Sequence, residues 1–249
     1  MIERASSNWR QRIRKPRKLA DTASRYDSMA CNYDRWYQSP VNARIDELEK
    51  RVMASALPDG YEGKWLLDVG CGTGHWFPLY VSKGYRIVGI DVSSGMLIAA
   101  RDKFRGQFGL VRGDAVRLPF RDGSFDLVCA VATLHLVPDP SHVLAEMYRC
   151  LKPGGRLVIG ALNALSYLGL KRAIQRSETF GGTRFLTVWE LKRRLRPYGL
   201  PQLVTCAFLP PLRLLLPFAG WIEQIGKRLM PATGQFIVAW LDKTGDRIA

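Results

Sequence analysis

The run Leu66-Leu67-Asp68-Val69-Gly70-Cys71-Gly72-Thr73-Gly74-His75-Trp76 constrains this chain more than any other stretch. An apolar strand reaches a carboxylate and then turns through three glycines spaced G-x-G-x-G. Glycine tolerates the positive φ of such a turn and lets backbone N–H groups come close to a ligand. A helix starting just beyond adds partial positive charge at its N-terminus. Two more acids end the strands that follow, Asp91 after Val88-Gly89-Ile90 and Asp114 after Leu110-Val111-Arg112.

Around this run, strand-like and helical segments alternate. The pattern predicts strands at Trp65–Val69, 86–90, 110–112, Phe125–Val131 and 156–161. Helices are predicted after Gly74 and over 94–104 and 140–151. Such alternation implies a doubly wound, Rossmann-like α/β fold, its mostly parallel sheet covered by helices on both faces. Ligands of such sheets bind at the carboxyl ends of the strands, where Asp68, Asp91 and Asp114 fall together. With 249 residues, 47% of them hydrophobic, the chain suffices for one sizeable domain with additions. The expected organisation is a basic tail over 1–20 and a single domain over 21–249. That domain divides into a helical lid (21–60), a cofactor-binding core (61–161) and a substrate-side region (162–249).

Two ligand classes compete for the glycine turn. A dinucleotide site has the spacing G-x-G-x-x-G and an acid about 20 residues on, which Asp91 satisfies. The last glycine of that pattern is His75 here, however, and Asp68 places a negative charge beside the loop, where it would repel a pyrophosphate. S-adenosylmethionine, with its ammonium, sulfonium and single carboxylate, suits the acids better. Asp68 matches the ammonium and the loop N–H groups match the carboxylate. Asp91 is a double acceptor for the ribose hydroxyls, Asp114 an acceptor for the adenine amino group, and Met96 a packing surface for the ring.

These residues resemble the class I S-adenosylmethionine-dependent methyltransferases, in particular the small-molecule branch with ubiquinone/menaquinone- and biotin-pathway enzymes. The matching motifs are Leu67 to Gly74, Val88-Gly89-Ile90-Asp91-Val92-Ser93 with Met96-Leu97, Gly113-Asp114-Ala115 with Leu118-Pro119-Phe120, Ser124-Phe125-Asp126-Leu127-Val128, and Leu151-Lys152-Pro153-Gly154-Gly155. They occur in the family's order and cover about residues 25–200. The resemblance implies a seven-stranded sheet with an antiparallel last strand, fed here by the strand-like segments 203–209 and 236–241. It implies cofactor contacts from Asp68, Gly70, Cys71, Gly72, Gly74, Asp91, Val92, Met96, Asp114 and Ala115. His135, after the fourth strand, stands where the family often carries a histidine and is the candidate base or substrate contact. The family often has a Tyr-Asp in an N-terminal helical lid, so Tyr33 is the second catalytic candidate. Trp36 and Tyr37 are candidates to line an apolar substrate pocket. The implied partner is a small, partly hydrophobic methyl acceptor.

The net charge of +15 is unevenly placed. Residues 1–18 and 169–199 each carry an excess of six positive charges, so 12 of the 15 lie outside the central fold. That pattern fits anionic lipid, or nucleic acid as an alternative methylation substrate, and it equally fits a solvated tail and a solvated helix face. A non-catalytic cofactor-binding module is a third alternative. Cys31, Cys71, Cys129, Cys150 and Cys206 form no C-x-x-C pair, and with three histidines no metal site is expected. No apolar run reaches the length of a membrane span, and the expected setting is reducing and cytoplasmic. One stripe stands apart: Leu214, Phe218, Ile222, Ile225 and Leu229 recur at helical spacing with Trp221, Lys227 and Arg228. A helix packed on the sheet is the favoured reading, and a membrane-surface helix or substrate wall is the other.

Overall fold

The computed structural model describes residues 19–175, 185–210 and 212–244. Seven strands form one sheet in the order β3-β2-β1-β4-β5-β7-β6. The strands are β1 (Trp65–Val69), β2 (Arg86–Asp91), β3 (Gly109–Arg112), β4 (Phe125–Val131), β5 (Leu151–Leu162), β6 (Gln202–Cys206) and β7 (Phe236–Asp242). The ladders linking β3, β2, β1, β4 and β5 are parallel, whereas β7 runs antiparallel to both β5 and β6. This is the mixed, Rossmann-like sheet expected from the motifs. β5 starts five residues before the expected 156, because Leu151 pairs with Phe125 ahead of a register shift.

Strand alternation divides the core in two. Leu67, Val69, Val128, Leu157 and Ile237 point to one face, covered by α5 (Pro140–Cys150) and α7 (Val188–Leu195). Leu66, Leu127, Cys129, Val158 and Phe236 point to the other, covered by α2 (Pro40–Ala56) and α3 (Phe77–Ser82). Asp68 follows Leu67 and so shares the second face with Leu66. Thr187 begins α7 with a reciprocal capping box to Glu190. That helix buries Leu191 and Leu195 and exposes Lys192 and Arg193, a solvated basic face. The other basic segment, 1–18, and Arg176 and Arg184 lie outside the described residues.

The helical lid expected over 21–60 is three pieces: α1 (Leu19–Met29), a 3-10 helix (Ala30–Gln38) and α2. Helix α1 begins at Leu19, two residues before the boundary drawn at 20/21. Pro40 opens α2 behind the Ser39 cap, and Ile45, Leu48, Val52 and Met53 are its buried stripe. Two Tyr-Asp pairs seven residues apart, Tyr26-Asp27 and Tyr33-Asp34, fix this lid to the core. Asp27 accepts from Ser93 Oγ at 2.6 Å and from the Gly95 amide at 2.7 Å, at the start of α4 (Ser94–Lys103). Asp34 accepts from Thr73 Oγ1 at 2.7 Å, in the glycine turn, and from Lys103 Nζ at 2.8 Å.

The bonds from Ser93 and Gly95 hold the Asp27 carboxyl below its ordinary value of 3.8. Burial raises that of Asp34, but bonding from Lys103 and Thr73 outweighs it and the net direction is also down. A depressed carboxyl contributes its docking fully above its ordinary value and loses it as pH falls through the depressed one. Replacing both by alanine should therefore speed tryptic cleavage at Arg25 and Arg35 near neutral pH. Wild type should loosen its lid only in acid, below the ordinary carboxyl value. Trypsin at neutral pH reads the first and amide hydrogen exchange against pH the second, and equal tryptic cleavage rates for the two proteins at neutral pH would show that these contacts do not hold the lid.

Candidate active site

The strand ends β1, β2 and β4 are stitched together by the glycine turn. Gly70 has φ +73°, and a Cβ on it would overlap the Thr133 side chain. The Gly70 and Cys71 amides both donate to the Ile90 carbonyl, at 2.7 and 3.1 Å. Thr133 Oγ1 donates to the carbonyl of Val131 at 3.0 Å or Val69 at 3.2 Å. Asp91 closes the arrangement: Oδ2 accepts from the Gly72 amide at 2.8 Å and Oδ1 from the Ser93 amide at 2.9 Å. Enclosure raises the Asp91 carboxyl, and the Ser93 and Gly72 amides oppose that shift. Each oxygen keeps a second lone pair, so Asp91 remains a double acceptor.

A cleft of about 710 Å³, its mouth included, opens over these strand ends. Its floor is Gly70, Gly72, Asp91, Val92, Met96, Asp114 and Ala115, seven of the ten residues expected to hold the cofactor. Met96 sits in the first turn of α4, where its amide bonds to the Ser93 hydroxyl. Asp114 Oδ1 accepts from the Val116 amide at 3.0 Å. The roof is the lid, through Thr22, Tyr26 and Tyr33, and the remaining side is Val131, Ala132, Thr133, Leu136 and Val137. Thr22 was not singled out by motif, because only the fold of the lid brings it over the sheet.

Three of the ten do not line the cleft. Asp68 is 2% exposed on the α2/α3 face, and burial beside Asp91 pushes its carboxyl up to about 8. Cys71 is buried with its sulfur against Gly89, where a Cβ would lie 2.7 Å away, and its thiol is pushed well up by burial. Gly74 turns the chain at φ +70° against Phe77 and Phe104.

The four substrate-side candidates also separate. Tyr33 lines the cleft, with its phenol pushed up by burial and by Tyr26. Tyr37 stands behind it, stacked on His75 at 3.5 Å between centroids, and Trp36 packs edge-on to Tyr37 while largely exposed. His75 bonds Asp46 at 2.7 Å, so the residue that broke the dinucleotide pattern anchors the lid instead. His135 lies outside the cleft lining with its ring edge-on to Phe185, and burial, aided by Arg172, pushes its pKa down to about 3. Among the described residues no cluster of three or more potential metal ligands occurs.

The fit to S-adenosylmethionine rests on this donor set: a glycine cradle, a ribose-type double acceptor, a second acid and an apolar slot around Met96. The comparisons agree. A family model described as a methyltransferase domain matches residues 67–159. A demethylmenaquinone methyltransferase of Thermobifida fusca is 32% identical over 232 residues, covering 90% of each chain. A bifunctional biotin biosynthesis protein, BioHC, of Teredinibacter turnerae is 30% identical over 209 residues, 76% of this chain and 35% of that longer one. A Thermotoga maritima structure described as an SAM-dependent methyltransferase, possibly acting on histamine, superposes with a TM-score of 0.69 at 25% identity, covering 88% of this chain and 98% of that one. The chain belongs to the class I S-adenosylmethionine-dependent methyltransferases, in their small-molecule branch. S-adenosylmethionine is its cofactor.

Asp91→Ala removes both the acceptor and the clasp on the turn, and calorimetry should show cofactor affinity falling at least about tenfold, roughly the 1.4 kcal/mol of one lost contact. Binding unchanged in this variant would move the ribose contact elsewhere. A second expectation concerns pH. Burial raises Asp68 and Glu49 to about 8, so their contribution is full below about pH 4 and is lost as pH rises through 8. Asp68→Asn should therefore gain stability over wild type in urea titrations at pH 9 relative to pH 5. A constant difference across that range would mean that the carboxyl is ionised throughout.

Proposed function

We propose that this methyltransferase acts on a small, partly hydrophobic acceptor, and that demethylmenaquinone, the substrate in the name of its relatives, is the first compound to try. The observation that carries the reading is the apolar side of the cleft. Val131, Ala132, Leu136 and Val137 face two lid tyrosines, a wall suited to a flat apolar molecule with few polar groups. S-adenosylmethionine supplies the electrophilic methyl group on its sulfonium. The protein's work is to hold the acceptor atom in line with that methyl group and to exclude water, which can lower the barrier by several kcal/mol.

In this reading the cradle from Gly70 to Gly74 and the acids Asp91 and Asp114 hold the cofactor. Asp68, buried behind the turn, supports the cradle from the α2/α3 face. Tyr33 stays protonated, since burial raises its phenol, and it is a hydrogen-bond donor to the acceptor rather than a base. Tyr37 backs it, and the exposed Trp36 extends the apolar surface at the lid. His135 is neutral with a pKa near 3, which leaves little driving force for taking a proton. From outside the cleft it positions Leu136 and Val137, which meet the acceptor.

Incubation with tritium-labelled S-adenosylmethionine and a short-chain demethylmenaquinone should give label in the organic extract. Intact cofactor binding with no label in any apolar acceptor would sink the substrate reading and leave the family assignment standing. Tyr33→Phe should lower kcat about tenfold with cofactor affinity kept. His135→Asn should raise KM and leave the pH–rate profile between about pH 5 and 9 unchanged in shape. Loss of a limb of that profile would return His135 to the role of base.

A further inference from the structure

The last helix packs the wrong stripe for its sequence. In α8 (Ala219–Leu229), Trp221, Ile222, Ile225 and Leu229 form the apolar stripe, and such a stripe normally faces the core. The face buried here is instead Ala219, Glu223 and Gly226. Two contacts fix that register. The Glu223 carboxylate accepts from the Ala207 amide at 3.3 Å and the Phe208 amide at 3.1 Å, at the end of β6. Gly226 lies against the Phe208 ring so closely that a Cβ would overlap it. The apolar stripe is thus rotated about a third of a turn away from the sheet. The favoured sequence reading, a stripe packed on the sheet, is overturned for Leu229, 70% exposed, and for Phe218, whereas Ile222 and Ile225 are half-buried at the stripe's edge; Trp221 beside it is 66% exposed. The 3-10 helix before it (Arg213–Phe218) continues the surface, with Leu214 85% exposed. Leu212, Phe218 and Met230 are exposed as well.

Charge selects the occupant. Between residues 207 and 235 the sole acid is Glu223, which is buried and paired with Lys227 at 3.2 Å, so with its three exposed bases Arg213, Lys227 and Arg228 the segment keeps an excess of two positive charges. A second copy docked about a two-fold axis would bring both sets of bases together with no acid between them, which is unfavourable. Nucleic acid would leave the aliphatic residues unsatisfied. A bilayer with anionic headgroups meets both needs: apolar side chains and a tryptophan enter at headgroup depth while the bases pair with lipid phosphates. Among the described residues no helix is long and apolar enough to cross a membrane, so the contact is peripheral.

We propose that the segment 212–230 is a membrane-contact surface that seats this protein on an anionic phospholipid bilayer. The proposal goes beyond the methyl-acceptor reading and does not depend on it. The test is co-sedimentation of the full chain with vesicles of phosphatidylcholine containing about 30% phosphatidylglycerol, beside pure phosphatidylcholine. Wild type should pellet with the anionic vesicles, less at high salt. Trp221→Asp and Leu214→Asp, both at exposed positions, should each weaken that binding at least about tenfold with calorimetric cofactor affinity unchanged. Absence of pelleting by wild type overturns the proposal, as does undiminished pelleting by both variants, which would assign any lipid contact to other basic segments. A wild-type dimer in light scattering that Trp221→Asp dissociates, without vesicle binding, also overturns it and gives the face to a second copy. Because the vesicles carry no methyl acceptor, failure here leaves the substrate reading untouched, and failure to methylate leaves this test intact.

Discussion

Everything at the cleft depends on how the chain leaves β1. Gly70 must turn with a positive φ where Thr133 leaves no room for a side chain, and two successive amides must share the Ile90 carbonyl. Those bonds lock the first two strand ends together, and the Thr133 hydroxyl adds the fourth strand. Asp91 then reaches from β2 back to the turn, so the carboxylate that faces the cleft is also the clasp that shapes it. A group with both duties is held in one orientation before any ligand arrives, which reduces the ordering cost of binding.

The lid is attached by polar bonds at one edge and by apolar packing at the other. Asp27 and Asp34 accept from the turn and from α4, while α2 buries Val52, Met53 and Ala56 against the sheet. Each of these acids directly follows a tyrosine that lines the cleft. The repeat of Tyr-Asp at seven residues therefore does two jobs with one motif: the acid fixes the segment and its neighbour covers the ligand space. His75 joins the same system through Asp46 and the stacked ring of Tyr37. Among the lid side chains over the cleft, Tyr33 is a phenol that burial keeps protonated, and this suits a site that positions an acceptor more than one that removes its proton.

The outer helix shows a different balance. An apolar stripe would gain most by burial, yet α8 gives that up in favour of two backbone amides capped by Glu223 and a close approach at Gly226. Buried amides left without acceptors cost about as much as a buried side chain returns, so a helix can be held by its polar face. The outcome is an exposed apolar surface on a basic segment.

The sequence by itself determined the strands, their order of use and the family. Glycines, terminal acids and alternating apolar residues are local signals, each with a local cause, and β1 and β4 fall at the residues their pattern marks. Seven of ten expected cofactor contacts line the cleft because the turn and the strand ends are short-range features. What only the tertiary structure decided is which way side chains on shared elements face. Asp68 lies on the α2/α3 face because strand alternation places it with Leu66, and only packing makes that face dry. His135 becomes a neutral, enclosed ring once Phe185 and Arg172, from a distant segment, close around it. The stripe on α8 has the periodicity of a buried helix, but its rotation is set by partners at Ala207 and Phe208 that periodicity does not encode. Spacing along a chain fixes which residues share a face, and long-range contacts choose which face turns inward.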